Sequence, residues 1–346
     1  MMTLTDVAER AGVSVATVSR VINGRPTVTP KVARHVKQVM AEIGYVPAAN
    51  RRGRKPGVPP EAGRQLRTIG LLLLGRSQEL LDQPSMGRVL GGMLEAGRAL
   101  HADTVVLEMP DVAQMPRRIR NGEVDGLVVL GQQPQPEWLD IFHPVPMVAL
   151  GGEPLDVPVF DQVAVNDRAV ARLAVDYLRG RGCRRLGFLN HDSEHAAFVS
   201  RGNVFAETAV AGGATVSRHE LPERAIDEAE MWTTARLRAD FSELIEQMLA
   251  AGNRLPEGVF VPTDQQAAML HALLRERGLG EGMVTISCNN DNAWLSAIHP
   301  RPATIALRAE ERGRLAVERL VQRIRNPGAS PVVTLVTPRL VTGEEG

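Results

Sequence analysis

The pattern of apolar and polar positions along the chain changes character near residue 66. Before that point, apolar residues recur at three- and four-residue spacing, which is typical of amphipathic helices. From Thr68 onward, apolar runs rich in β-branched residues alternate with amphipathic helical stretches. Runs such as Ile69–Leu74 are apolar throughout, which indicates strands that are buried on both faces. The body of the chain, Leu66 to Gly346, is therefore predicted to contain parallel sheets covered by helices.

This alternation predicts the individual elements of the body. The predicted strands are Thr68–Leu74, Thr104–Leu107, Gly126–Leu130, Met147–Leu150, Gln162–Val165, Arg185–Asn190, Thr215–His219, Gly258–Pro262, Thr285–Cys288 and Ala303–Leu307. The predicted helices are Met86–Leu100, Pro116–Asn121, Arg168–Gly180, Ser200–Ala211, Asp240–Ala251, Gln265–Arg277 and Arg312–Asn326. A body of this length and rhythm is expected to form two doubly wound α/β lobes with a cleft between them.

The stretch Thr3–Asn23 predicts two short helices joined by a tight turn. Gly12 can adopt the left-handed conformation that ends the first helix, and Ser14 is placed to cap the second. The residues expected to face inward are Leu4, Val7, Ala8, Ala11, Val18, Val21 and Ile22. This arrangement predicts a helix-turn-helix, whose second helix enters the major groove of DNA.

An ordinary helical hairpin is the alternative, and it explains the glycine and the apolar stripe equally well. It does not explain the outward face of the second helix, where short hydroxyls, an amide and one arginine can donate to phosphates and base edges. These outward residues are Ser14, Thr17, Ser19, Arg20 and Asn23. We therefore favour DNA binding.

The stretch DVAERAGVSVATVSRVING, residues 6–24, resembles the N-terminal headpiece of the lactose-repressor family of bacterial transcription regulators. The similarity continues through a predicted third helix, Thr29–Ile43, with Thr29 as its cap and Pro30 at its first position. It ends in Gly-Tyr-Val-Pro at residues 44–47. The resemblance implies that Val15, Ala16 and Arg20 face base edges, where Arg20 can bind a guanine through two hydrogen bonds. It implies phosphate contacts from Thr3, Ser14, Thr17, Ser19, Asn23, Thr27 and Thr29.

A linker dense in Gly, Pro and Arg follows the headpiece. Family members usually carry a hinge helix here, with a leucine that enters the minor groove, but Gly53 and Pro56 oppose a helix and Arg54 stands where the leucine is expected. The basic residues are instead similar to an AT-hook, an extended arm in a narrow minor groove. They are Arg51, Arg52, Arg54 and Lys55. The alternative is a solvated basic tether that contacts phosphates without reading sequence.

The body resembles the family's effector domain, which shares its fold with periplasmic sugar-binding proteins. Matching segments include VAVNDR at residues 163–168 and PTDQQA at residues 262–267. In such lobes, ligands bind outside the carboxyl ends of the strands. The candidate effector-binding residues near those ends are Arg201, Trp232, Thr263, Asp264, Asn289 and Asn290. The alternatives are a salt bridge lining the cleft for Arg201 and Asp264, and core packing for Trp232.

Two amides, Asn289 and Asn290, stand where the family usually has two aspartates. An amide both donates and accepts hydrogen bonds, whereas a carboxylate only accepts them. The guanidinium of Arg201, which matches the family arginine that commonly holds an effector, can bind a carboxylate, a phosphate or paired hydroxyls. We expect a sugar or a related metabolite as effector, but it need not be neutral.

Charge is balanced over the whole chain but divided unevenly. Eleven basic and four acidic residues precede Leu66, a net charge of +7, which leaves −7 on the rest of a chain with zero formal charge. A basic head on an acidic body favours a polyanionic partner at the head only. The sequence lacks a run of eighteen apolar residues and the apolar centre of a signal peptide. It also lacks a disulfide framework, because it has two cysteines. We expect a cytoplasmic protein with no membrane partner.

Motifs for catalysis are not found in the sequence, which holds no phosphate loop, HExxH, Gly-x-Ser-x-Gly or CxxC. His191 and His195 have the spacing of a helical metal pair, but they lie in a predicted loop with no assignable third ligand. We therefore expect no catalytic residue, no metal and no cofactor, and we expect Cys183 and Cys288 to be unreactive core thiols.

The predicted organisation is an α plus α/β fold. It has a three-helix helix-turn-helix headpiece (residues 1–47), a basic Gly/Pro-rich hinge or linker (48–66) and a two-lobed, periplasmic-binding-protein-like effector-binding and dimerisation domain (67–346). We expect a sequence-specific transcription regulator of the repressor type, whose affinity for double-stranded operator DNA is set by a small-molecule effector. A homodimer is expected, because one helix-turn-helix reads half of a palindromic site. The alternative is a solute-binding protein of the periplasmic type without DNA function.

Overall fold

The structure is a computed structural model of the 346-residue chain. It describes residues 4–14, 17–18, 21, 30–42, 66–75, 83–111, 114–131, 142, 145–154, 158–222, 233–250 and 255–343. The chain divides into two compact units, one within residues 1–55 and one within residues 56–346.

The headpiece contains α1 (Leu4–Ala11), α2 (of which residues 17, 18 and 21 are described) and α3 (Pro30–Glu42). Gly12 has a φ of 62° and forms the turn after α1, where the amide of Val13 donates to the carbonyl of Ala8 at 3.0 Å. One buried cluster joins the three helices through Val7, Ala8, Ala11, Val18, Val21, Val36, Val39 and Met40. The predicted inward face of the first two helices is confirmed for Val7, Ala8, Ala11, Val18 and Val21. The side chains of Leu4 and Ile22 lie outside the described part of the chain. Pro30 begins α3 as expected.

The body contains twelve described strands and eight described helices. The strands are β1 (Thr68–Leu74), β2 (Asp103–Met109), β3 (Gly126–Gly131), β4 (Met147–Leu150), β5 (Asp161–Val165), β6 (Arg185–Asn190), β7 (Thr215–Glu220), β8 (Gly258–Phe260), β9 (Val284–Cys288), β10 (Ala303–Ala306), β11 (Val333–Val336) and β12 (Arg339–Val341). The helices are α4 (Pro84–Ala99), α5 (Arg117–Arg120), α6 (Asp167–Gly180), α7 (Ala196–Ala211), α8 (Thr234–Ala250), α9 (Asp264–Glu276), α10 (Asn292–Leu295) and α11 (Ala309–Arg325).

The strands form two six-stranded sheets. The first lobe has the strand order β11-β5-β4-β3-β1-β2, and the second lobe has the order β12-β10-β9-β8-β6-β7. Neighbouring strands are parallel except for β12, which is antiparallel to β10. The chain therefore passes between the lobes three times, after β5, after β10 and after β11.

Each sheet is buried on both faces, as the continuous apolar runs predict. In β1, Leu71 and Leu73 enter one core cluster, while Leu72 and Leu74 enter another on the opposite face. In β6, Phe188 and Leu189 likewise enter different clusters. Because side chains alternate across a strand, helices must cover both faces of each sheet. The predicted pair of doubly wound lobes is confirmed.

Helices α4 and α11 of the first lobe pack together closely. A Cβ atom at Gly92 would overlap the carbonyl oxygen of Glu310, and one at Gly313 would overlap the carbonyl oxygen of Val89. Glycine at these two positions therefore lets the backbones approach. Among the described helices, none is long and apolar enough to cross a membrane.

Candidate DNA-binding helix and effector cleft

The start of α2 is built by two hydroxyl side chains. Ser14 accepts a hydrogen bond on Oγ from the backbone amide of Thr17 at 3.1 Å, which is the predicted N-cap. Its Oγ also lies 2.9 Å from Oγ1 of Thr17. Both groups therefore sit at the amino end of α2, where amides and hydroxyls can approach a phosphate.

The other twelve residues that the sequence assigns to DNA lie outside the described residues. They are Thr3, Val15, Ala16, Ser19, Arg20, Asn23, Thr27, Thr29, Arg51, Arg52, Arg54 and Lys55. Trp232, one of the candidate effector-binding residues, also lies outside them.

In the second lobe, Arg201 on α7 is buried and held by the start of α6. Its Nε donates to Oδ1 of Asp167 at 2.7 Å, and its Nη1 donates to the carbonyl of Pro262 at 3.3 Å. Burial opposes the charge of Arg201, but the Asp167 carboxylate outweighs this effect and raises the Arg201 pKa. Asn166 caps α6 by accepting from the amide of Ala169 at 3.0 Å. The consecutive residues Asn166 and Asp167 thus supply a cap for α6 and a partner for Arg201.

Asp264 is fully buried at the start of α9, and its acceptors are occupied within the second lobe. Oδ1 accepts from the hydroxyls of Ser287 at 2.5 Å and Thr304 at 2.8 Å, while Oδ2 accepts from the amide of Asp291 at 2.6 Å. Burial raises the pKa of Asp264 to about 7, against the lowering effect of these donors. The neighbouring Thr263 caps α9 by accepting from the Gln266 amide at 3.3 Å. Asp264 thus links the start of α9, which follows β8, to β9, to β10 and to the segment after β9.

Asn289 and Asn290 follow β9 and contact the first lobe through their backbone. Both have positive φ angles, 105° and 54°. Arg88 on α4 donates from Nη2 to the Asn289 carbonyl at 2.8 Å and from Nη1 to the Asn290 carbonyl at 2.9 Å. These bonds join the two lobes across the cleft.

Two further arginines belong to this region, and neither is among the effector-binding residues predicted from the sequence. They are Arg88 and Arg312, which is buried on α11. The signal for Arg312 is its spacing, because it lies three residues after Ala309 and four before Ala316, on the buried stripe of the helix. Cys288, at the end of β9, is a buried thiol whose pKa is raised by burial to about 12, in agreement with the expected unreactive thiol.

Two spaces lie between the lobes. A narrow one is lined by Pro84 and Ser85 of the first lobe and by Thr263, Asp264 and Asn289 of the second. A larger one, about 430 Å³ in volume, is lined by residues that include Arg88, Asn289, Asn290 and Ala309. Small-molecule sites commonly have volumes of this order. The structure therefore brings five of the six predicted effector residues to one side of the second lobe, and it ties two of them, Arg201 and Asp264, into internal networks.

Comparison with known families gives two matches. Residues 3–48 match the family model described as bacterial regulatory proteins, lacI family. Residues 175–344 match the model of a periplasmic binding protein-like domain.

Individual relatives align along nearly the whole chain. The ribose operon repressor of Haemophilus influenzae is 23% identical over 99% of this chain and 98% of its own length. The HTH-type transcriptional repressor PurR of Photobacterium profundum is 25% identical over 99% and 97%. The solved structure of the transcriptional regulator CelR in complex with cellobiose superposes with a TM-score of 0.66, at 25% identity and full coverage of both chains.

Proposed function

This chain belongs to the LacI family of bacterial regulatory proteins, and from that premise we propose which of its parts bind DNA and which bind an effector. It is a DNA-binding transcription regulator with a helix-turn-helix domain and a periplasmic-binding-protein-like body. The observation that carries the function is the combination of these two domains in one chain. A solute-binding protein of the periplasmic type would need only the second, so that alternative is not supported.

The DNA contacts are proposed for the outward face of α2 and the basic linker. The cap formed by Ser14 and Thr17 supports this assignment, because it places two hydroxyls at the amino end of the helix. Arg20, three residues after Thr17, is proposed as a base-reading residue, and Arg52 and Arg54 as minor-groove contacts. The headpiece is assigned to residues 1–47 and the linker to 48–66.

The body, residues 67–346, is proposed to bind a small-molecule effector between its lobes and to form a homodimer. A ribose operon repressor and a regulator in complex with cellobiose are among the relatives, which favours a sugar or a related metabolite. A change of lobe angle on binding would alter the spacing of two headpieces, so effector and operator affinities would be coupled reciprocally, by about 1–3 kcal/mol. We propose that the protein acts in the cytoplasm, by binding and without catalysis.

The test is filter binding of the full chain and its Arg20→Ala variant to genomic fragments. The wild-type protein is expected to retain a subset of fragments, with retention that falls steeply as salt concentration rises. Arg20→Ala should relax selection at one base pair and weaken binding to the preferred sites by about 1–3 kcal/mol.

The matched control is Arg10→Ala, which removes an exposed charge from α1. It is expected to weaken binding to all sequences slightly and equally. If Arg20→Ala also weakens binding to all sequences equally, Arg20 contacts a phosphate and does not read a base. Wild-type retention that is absent or insensitive to salt would reject the regulatory function itself.

A further inference from the structure

Arg312 is a buried cation without a bonding partner in the part of the chain that the structure describes. Only 8% of the residue is exposed, and it lies on the inward face of α11 beside Ala309, Gly313 and Ala316. Its Nε has no hydrogen-bond partner. Other arginines of the same helix are paired, as Arg319 and Arg323 are with Asp161. A buried charge that nothing compensates is strongly unfavourable.

The charges that surround Arg312 do not compensate it. Arg201 and Arg88 repel it, and both are committed to other acceptors, Asp167 and the carbonyls after β9. Asp167 attracts it, but that carboxylate already accepts from Arg201 at 2.7 Å. Burial lowers the pKa of Arg312 to about 10, so the side chain still carries its charge at neutral pH. The region therefore has an excess of positive charge drawn from both lobes.

Arg312 follows, by one helical turn, a residue that lines a space between the lobes. Ala309, one helical turn earlier, lines the cavity of about 430 Å³ together with Arg88, Asn289 and Asn290. Long side chains on a helix point back toward its amino end, which is the direction of Ala309. Two acidic residues, Glu310 and Glu311, also line this cavity, and Glu311 pairs with Arg308. The Arg312 guanidinium also interacts electrostatically with Arg88 of the first lobe and with Arg201 and Asp167 of the second, so it lies near the boundary between the lobes.

We propose that Arg312 binds an oxyanion carried by the effector, a carboxylate or a phosphoryl group, so that the effector is an anionic metabolite and not a neutral sugar. This inference rests on the proposed binding of an effector between the lobes. A guanidinium presents donors in a planar fork that matches two oxygens of either group. Neutral hydroxyls would leave the excess charge uncompensated, whereas an oxyanion neutralises it at the point where both lobes meet.

The experiment compares thermal unfolding of the full-length wild-type protein and Arg312→Met, at matched ionic strength. The probes are potassium phosphate, gluconate and ribose 5-phosphate, with potassium chloride, glucose and ribose as uncharged or non-oxyanion controls. For the wild type, at least one oxyanion should raise Tm by about 2–4 °C. A response to gluconate alone would identify the carboxylate class, and a response to phosphate or ribose 5-phosphate the phosphoryl class.

Arg312→Met is expected to lose the oxyanion response and to have an unchanged or higher Tm without ligand, because it removes an uncompensated buried charge. Arg312→Lys, which keeps the charge but not the fork, should respond more weakly than the wild type. Arg325→Met, at the exposed end of the same helix, should behave as the wild type. If Arg312→Met does not fold, the comparison of Arg312→Lys with wild type decides.

Three results would overturn the proposal. They are a wild-type protein that responds to none of the oxyanions, an Arg312→Met or Arg312→Lys variant that responds as strongly as the wild type, and a response to glucose or ribose alone. Filter binding to genomic fragments separates the two proposals. If the protein binds DNA in a salt-dependent way but does not respond to oxyanions, the regulatory function is supported and only the proposal of an anionic effector is contradicted.

Discussion

Asp264, which follows β8, joins the neighbouring strands β9 and β10 and the segment after β9 through bonds from Ser287, Thr304 and Asp291. The sequence predicts the position of Asp264 after β8 correctly, and its role in effector binding stays a prediction. The residues that donate to Asp264 lie 23, 27 and 40 residues further along the chain, so no local sequence pattern predicts these hydrogen bonds. Arg201 is similar, because its partner Asp167 is 34 residues away. The type of a residue and its position near a strand end can be predicted from the sequence. Its hydrogen bonds to residues far away along the chain cannot.

Asp264→Asn should change how stability depends on pH. The pKa of Asp264 is about 7 in the folded protein against an ordinary value of 3.8, so the folded state retains a proton that the unfolded chain releases in this window. The resulting stabilisation is complete below pH 3.8 and is lost as pH rises through about 7, at about 1.4 kcal/mol for each unit of difference. Thermal unfolding between these pH values should show wild-type Tm falling relative to the variant.

The control for this experiment is Asp176→Asn, an exposed aspartate on α6. Its curve of Tm against pH should run parallel to that of the wild type. A parallel curve for Asp264→Asn would mean that the carboxyl of Asp264 does not change its protonation on folding in this range.

Strands with a continuous apolar pattern are predicted well from the sequence. The two strands that it does not predict differ from them in length and burial. The bounds of β1, β4 and β6 are those predicted, since each is buried along nearly its whole length. β11 and β12 were not predicted. They are edge strands of three and four residues flanked by Pro331 and Pro338, and Leu335 of β11 remains 45% exposed. Short edge strands lack the buried period that reveals a central strand.

The close contact between α4 and α11 gives a paired prediction on adjacent residues. Gly92→Ala should lower the free energy of unfolding by about 1–3 kcal/mol, because the added methyl group meets the carbonyl of Glu310. Gly91→Ala meets nothing within 4 Å and should raise it by up to about 1 kcal/mol through helix propensity. Urea unfolding of the full chain measures both. Two variants with the same sign of change would contradict the tight helix crossing.

For the whole molecule, Arg88 provides the direct hydrogen bonds described between α4 of the first lobe and the turn after β9 of the second. Two charge-assisted bonds of this kind are expected to stabilise the arrangement of the lobes in this structure by about 1–3 kcal/mol. That amount equals a typical allosteric coupling. The apolar pattern predicts two lobes with a cleft between them, but it does not indicate this contact, because Arg88 and Asn289 are 201 residues apart.

Arg88→Met should shift the ligand-free protein toward open lobes by about 5- to 150-fold in the equilibrium constant. The measurement is small-angle X-ray scattering of the full chain, in which the radius of gyration should increase. Arg98→Met removes an exposed arginine from the last turn of the same helix and should leave the scattering unchanged. Equal scattering from all three proteins would show that the two bonds do not hold the lobes closed.

The three passages of the chain between the sheets mean that neither lobe is encoded by one uninterrupted segment. A premature stop after β10 would remove α11 from the first lobe together with an edge strand from each, and so damage both at once. A hybrid gene that exchanged one lobe for that of a relative would need three junctions, each in register. Recombination should therefore have exchanged headpieces between such regulators far more readily than it exchanged lobes.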